Sequence, residues 1–126
     1  MNALNNIEER RSDPRFEYKD QLSLKIVFSS ENPSLLGKNI DGSTLDISAS
    51  GLRIELNHPI KIDSVLDVWV SLKNLNKKFF LTGNVRWVNE TAKPGIYQIG
   101  LVLRERTDTV TDLSSWKATL KKHLIE

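Results

Sequence analysis

Hydrophobic and polar residues alternate along most of the chain, which is the pattern of β-strands with one buried face. The alternation is clearest where Leu22, Leu24 and Ile26 are separated by Ser23 and Lys25. The same period of two recurs in a segment that ends near residues 45–47 and in segments 52–56, 65–72, 79–88 and 96–103. These segments follow one another at hairpin spacing, so we predict a mainly β fold of six to seven antiparallel strands, arranged as a barrel or a sandwich.

The period changes from two to about 3.6 residues beyond Arg106. Hydrophobic residues then recur at helical spacing from Val110 to Leu124, and basic residues follow towards the end of the chain. Asp108 or Thr109 can cap the N-terminus of such a helix. We therefore predict a tail over residues 1–9 and one domain over 10–126, with the barrel at about 18–104 and a C-terminal helix at about 108–125.

The composition is typical of one soluble globular domain. The 126 residues are 39% hydrophobic and 27% charged. A net charge of +2 does not supply the broad basic face of a protein that binds nucleic-acid polymers. The absence of cysteine excludes disulfides and thiolate chemistry and fits a reducing compartment. Because the chain also lacks a signal-peptide pattern and a long apolar window, we expect a cytoplasmic protein without a membrane span.

Enzymatic motifs are missing from the sequence. It contains no nucleophile elbow, P-loop, dinucleotide-binding glycine pattern or paired carboxylates. The two histidines, His58 and His123, lie far apart and have no cysteine near them, which argues against a metal site. We therefore predict a binding protein without catalytic residues, metal or cofactor.

Three arginines precede the first long strand. Arg10, Arg11 and Arg15 lie in the stretch RRSDPR, in which Pro14 favours an extended conformation at Asp13. Surface salt bridges are one explanation for such a group. The alternative is a planar anionic ligand, because a guanidinium group can bind phosphate oxygens, bind the O6/N7 edge of guanine or stack on a purine.

A second polar motif follows in the stretch DISASG. Asp46 and Ser48 are two residues apart at the end of a strand, so their side chains project from the same face. Gly51 supplies either a positive φ or room for a close approach to the backbone. Taken alone, the motif also fits a hairpin turn capped by Asp and Ser.

The order and spacing of RxxxR and DxSxxG resemble the two signatures of the PilZ domain family, and the resemblance covers nearly the whole chain. It implies a six-stranded barrel with a helix, and a bacterial receptor for the second messenger cyclic di-GMP. The ligand contacts that the resemblance implies are Arg11, Arg15, Asp46, Ser48 and Gly51, with Arg10 as an additional candidate. Trp87 is a further candidate because some PilZ proteins carry an aromatic residue near the ligand in this region, although a strand tryptophan can also simply pack on the barrel.

The chemistry of the candidate residues suits this ligand. Cyclic di-GMP has two phosphates and two guanines, which arginines can bind, while a carboxylate such as Asp46 can accept from the guanine N1–H and N2 amino group. The resemblance also implies a protein partner that controls motility, pili or exopolysaccharide synthesis. Two alternatives remain: an adaptor that binds another protein without nucleotide, and a small barrel that binds RNA or DNA, which the low net charge disfavours.

Overall fold

A computed structural model describes residues 14–28 and 36–122, except for the side chain of residue 74. Its elements are β1 (Phe16–Glu17), β2 (Gln21–Phe28), β3 (Asn39–Ile47), β4 (Gly51–Leu56), β5 (Val65–Leu72), β6 (Lys77–Glu90), β7 (Tyr97–Arg104) and α1 (Leu113–Leu120), with a short 3-10 helix (Lys73–Leu75) between β5 and β6. The predicted mainly β fold of six to seven antiparallel strands with a C-terminal helix is confirmed.

Six of the strands close into a barrel. The hydrogen-bonded order β3-β2-β5-β6-β7-β4 is closed by direct pairing of β4 with β3. The two-residue β1 adds to β3 beyond the end of β2, through the pairs Phe16↔Ile47 and Glu17↔Asp46. The pairing of β1 with β3 therefore places Arg15, which directly precedes β1, next to the end of β3.

The hydrophobic face of each strand points into the barrel. Leu22, Leu24 and Ile26 are buried, while the residues between them are exposed. The helix contributes Trp116, which is fully buried and meets Phe79 edge to face at a centroid distance of 5.2 Å. The core thus fills the barrel and extends under α1.

The helix begins later than the sequence pattern predicts. It starts at Leu113 instead of about 108, because Asp112 is held on the edge of β6. The backbone N–H of Asp112 donates to the Phe80 carbonyl at 2.8 Å, and its carboxylate accepts from the Phe80 N–H at 2.8 Å. The carbonyl of Asp112 then accepts from the N–H of Trp116 at 2.7 Å.

The residues before Asp112 are irregular, so the predicted N-caps Asp108 and Thr109 are wrong. Val110, which the sequence pattern places on the apolar stripe of the helix, is 89% exposed. The remainder of the predicted helix, including Leu124, lies outside the described residues.

Asp67 and Arg106 form a nearly buried ion pair that fastens the segment between β7 and α1. The Nη1 of Arg106 donates to both carboxylate oxygens of Asp67, at 3.1 and 2.9 Å, and the Thr82 hydroxyl donates to Oδ1 at 2.7 Å. The Nε and Nη2 atoms of Arg106 donate to Asp108. This guanidinium holds the pKa of the Asp108 carboxyl below its ordinary value, so the contact is lost only as the pH falls through that lowered pKa.

Replacing Arg106 should destabilise the fold markedly. Among the described residues, the carboxylate of Asp67 would keep only the Thr82 hydroxyl in Arg106→Met, and an unpaired buried charge costs on the order of 3 kcal/mol. Urea unfolding measures the change. Arg104→Met is the matched control: it removes an exposed strand arginine and should change the free energy of unfolding by less than about 0.5 kcal/mol. Equal effects of the two substitutions would contradict a structural role for the Asp67 pair.

Candidate functional site

The described part of the RxxxR motif meets the DxSxxG motif at the end of β3. Arg15 directly precedes β1, which pairs with β3 so that Glu17 lies opposite Asp46. The Nη1 of Arg15 donates to the Oδ1 of Asp46 at 3.0 Å. Arg10 and Arg11 lie outside the described residues, so their placement as ligand contacts stays a prediction.

A second arginine holds the other oxygen of the same carboxylate. Arg53 lies opposite Asp46 in the β3–β4 pairing, and its Nε donates to Oδ2 at 2.7 Å. The register shift between Thr44 and Asp46 gives β3 one extra residue here, which sets the pairing of Asp46 with Arg53. The side chains of Arg15 and Arg53 are 43% and 42% exposed, whereas that of Asp46 is 15% exposed.

Arg53 is not among the site residues that the sequence predicts. The alternation of hydrophobic and polar residues places Arg53 on the outer face of β4, but many arginines in strands lie on an outer face without binding a ligand. The available signal was the short turn between β3 and β4, since a tight turn brings residues on either side of it into register. The bulge shifts that register by one residue, so the sequence alone does not identify the partner.

Ser48 stabilises the turn itself. Its hydroxyl accepts from the Gly51 N–H at 3.0 Å and donates to the Gly51 carbonyl at 3.1 Å, and the residue is only 1% exposed. The carbonyl of Ser48 accepts from the Trp116 indole N–H at 3.0 Å, which joins the turn to α1. In this structure the hydroxyl faces the backbone of the turn, and a ligand contact for Ser48 stays a prediction.

Gly51 is required by close packing. A Cβ atom at this position would lie 2.9 Å from the carbonyl oxygen of Leu101 and 3.7 Å from the Nη2 of Arg15. Gly51 is absent from the residues of positive φ in the described chain. Of the two explanations that the sequence left open, room for a close approach therefore applies.

Trp87 lies on the outer face of the barrel, on β6, three strands from Asp46. It is paired with Gly100 of β7, which in turn is paired with Arg53. A Cβ at Gly100 would lie 2.1 Å from the indole Nε1, so the indole covers the space that a side chain would fill. Trp87 is 37% exposed and does not belong to the buried core.

The candidate site is thus a row across the outer face. We call it the Asp46 row and define it by Arg15 and the cross-strand neighbours Asp46, Arg53, Gly100 and Trp87. With neighbouring strands about 4.8 Å apart, the row from Asp46 to Trp87 covers about 14 Å. It offers guanidinium donors, a carboxylate acceptor and an aromatic face, which together suit an anionic ligand with planar rings.

The described residues contain neither a cluster of possible metal ligands nor a membrane-spanning helix. Residues 14–28 and 36–122 contain no group of three or more His, Cys, Asp or Glu side chains placed to hold a metal ion. In the same part of the chain, no helix is long and apolar enough to cross a membrane.

Two solved structures share the fold. The chain superposes on the Bacillus subtilis inhibitor of motility MotI/DgrA with a TM-score of 0.63 and 15% identity, covering 90% of this chain and 50% of the other. It superposes on the K. pneumonia MrkH–c-di-GMP complex with a TM-score of 0.61 and 21% identity, covering 91% of this chain and 50% of the other. The chain therefore spans about half the length of these two proteins.

Sequence comparison identifies the family. A search of curated protein sequences gave no significant match. The family model described as PilZ domain matches residues 9–118, a range that contains both motifs, all seven strands and most of α1. The resemblance noted from RxxxR and DxSxxG is confirmed, and the chain belongs to the PilZ domain family.

Proposed function

We propose that this protein is a bacterial, cytoplasmic receptor for cyclic di-GMP that binds the nucleotide on the Asp46 row. The observation that carries the proposal is the hydrogen bond from Arg15 to Asp46, because it joins the two motifs of the family in one site. Membership of the PilZ domain family and the fold shared with MrkH, whose structure is a c-di-GMP complex, support the choice of ligand.

The charges of the row fit a ligand and contribute little to stability. Exposed ion pairs contribute about 0–1 kcal/mol each, so the partly exposed pairs of Asp46 with Arg15 and Arg53 are poorly explained by stability alone. Two guanidinium groups surround one carboxylate, and Glu17, the cross-strand neighbour of Asp46 on β1, is a second acidic residue beside them. The guanidinium N–H donors that Asp46 does not use can bind a phosphate, and Arg10 and Arg11 of the preceding segment add further cations.

Each residue of the site has a distinct part in the proposed complex. Asp46 accepts from the N1–H and N2 amino group of a guanine, and Arg15 binds a phosphate or the guanine O6/N7 edge. Trp87 stacks on a guanine. Gly51 leaves room for the Leu101 carbonyl and for Arg15 beside the turn, and any direct contact of Gly51 with the ligand uses its backbone. The Ser48 hydroxyl stabilises the turn through its hydrogen bonds to the Gly51 backbone. A direct contact of Ser48 with the ligand would use the same hydroxyl.

The signal passes to a protein partner by a change in shape or in partner binding. The carbonyl of Ser48 is bonded to Trp116, so the binding turn and α1 are mechanically joined. No catalytic step is proposed. MotI is an inhibitor of motility by its name, which supports control of a motility, pilus or exopolysaccharide partner here. A nucleotide-independent adaptor is the alternative, but the completeness of both motifs argues against it.

The purified protein should bind cyclic di-GMP and lose most of that affinity in Arg15→Ala and in Asp46→Ala. Each substitution removes a charge-assisted contact of about 1.5–3 kcal/mol, which is roughly ten- to a hundredfold in Kd. Isothermal titration calorimetry measures the change.

Lys25→Ala and Asp41→Ala are the matched controls for charge, since both residues are exposed on other parts of the barrel. They should bind as the wild type does. Absence of binding by the wild type would reject the proposed function, while unchanged affinity in both site variants would reject the site.

Moving the indole of Trp87 should weaken binding even when the tryptophan is retained. In Gly100→Ala the new methyl group would meet Trp87 Nε1 and Cε2 at 2.1 and 2.3 Å, so the ring must leave its position. Loss of stacking on a base costs about 1–3 kcal/mol, so we expect roughly a five- to hundredfold rise in Kd. Trp87→Ala is the comparison and should give a loss of similar size. If both variants bind like the wild type, Trp87 only packs on the barrel.

A further inference from the structure

Arg53 forms an ion pair with Asp46 but uses only part of its hydrogen-bonding capacity in it. It lies directly opposite Asp46 and donates to Oδ2 through Nε alone. In the described part of the chain, no hydrogen bond involves either terminal nitrogen of Arg53. Arg106 provides the contrast, because all three of its nitrogens donate to carboxylates and its side chain is 19% exposed.

The Nε contact fixes the direction of the remaining donors. A guanidinium group is planar, so a bond from Nε to Asp46 orients the two terminal nitrogens in the same plane. The side chain of Arg53 is 42% exposed, so these nitrogens are accessible from solvent. The strand pairing places Arg53 between Asp46 and Gly100, the residue on which the indole of Trp87 lies.

Asp46 keeps acceptor capacity beside these donors. A carboxylate has about four lone-pair sites, and the two arginines use one on each oxygen. Each oxygen can therefore accept one further hydrogen bond. The two carboxylate oxygens of Asp46 are therefore acceptors, and the terminal nitrogens of Arg53 beside them are donors.

Guanine has the complementary edge. Its N2 amino group and N1–H are donors, and the neighbouring O6 is an acceptor. Adenine presents an amino group in the place of O6 and an unprotonated N1, so it would set donor against donor at Arg53 and acceptor against acceptor at Asp46. Unpaired polar groups of this kind are a strong source of discrimination between ligands.

We propose that Arg53 is a specificity-determining ligand residue, which donates to the guanine O6 while Asp46 accepts from N1–H and N2, so that the pair selects guanine over adenine. This inference rests on the proposed function. Arg53 belongs to neither RxxxR nor DxSxxG, and its role follows from its contact with Asp46 and its uncommitted terminal nitrogens.

Three cyclic dinucleotides separate the possible roles of Arg53. Cyclic di-GMP has O6, N1–H and the N2 amino group; cyclic di-IMP keeps O6 and N1–H but lacks the amino group; cyclic di-AMP lacks O6 and N1–H. The affinity of each for the wild type and for Arg53→Ala is measured by calorimetry, with displacement of a fluorescent cyclic di-GMP for the weakest ligand. Arg104→Ala, which removes another exposed strand arginine, is the matched control, and thermal unfolding checks that each variant is folded.

We expect Arg53→Ala to weaken cyclic di-GMP and cyclic di-IMP by the same factor, roughly ten- to a hundredfold. Cyclic di-AMP should bind the variant no more weakly than it binds the wild type, and Arg104→Ala should change none of the three affinities. The variant then has a smaller preference for guanine over adenine.

Each other outcome overturns the inference. Unchanged affinity for cyclic di-GMP would show that Arg53 does not contact the ligand. A larger loss of affinity for cyclic di-GMP than for cyclic di-IMP would show that Arg53 only orients Asp46. Each guanine can donate to that carboxylate from both N1–H and the N2 amino group, whereas hypoxanthine can donate from N1–H alone. Equal losses for all three ligands would indicate a phosphate contact. A wild type that binds none of the three would reject the proposed function as well, whereas the preceding outcomes leave it intact.

Discussion

The carboxylate of Asp46, held between Arg15 and Arg53, is the interaction on which the candidate site depends. It positions two guanidinium groups that come from opposite sides of β3. Without the carboxylate, two cations on either side of β3 would repel each other, and neither side chain would have this partner to fix its direction. With it, both groups are oriented, and the guanidinium N–H donors that Asp46 does not use remain available to an anionic ligand.

The closed barrel makes this arrangement possible. β3 pairs with β1 and β2 along one edge and with β4 along the other, so Asp46 has a neighbour on each side. The turn between β3 and β4 is closed by the hydroxyl of Ser48, and the carbonyl of the same residue is bonded to Trp116. A change at the Asp46 row therefore has a short covalent and hydrogen-bonded route to the C-terminal helix.

The strands were predictable because their hydrophobic period of two is a local property. The start of the helix was not, since it depends on Asp112 pairing with the backbone of Phe80, more than thirty residues away. The two motifs identified Arg15 and Asp46, which the structure brings into contact. Arg53 could not be found in the same way, because its partner is set by an extra residue in β3 and not by a sequence motif.

The most direct test of the account is the NMR spectrum of the guanine imino protons in the complex with cyclic di-GMP. If Asp46 accepts from N1–H, the imino proton of a bound guanine should be protected from exchange with water. It should also give nuclear Overhauser cross-peaks to protons of Asp46. That resonance should be lost in Asp46→Ala at ligand concentrations that still saturate the variant. A saturated wild-type complex in which no guanine imino proton is protected would contradict the central role of Asp46.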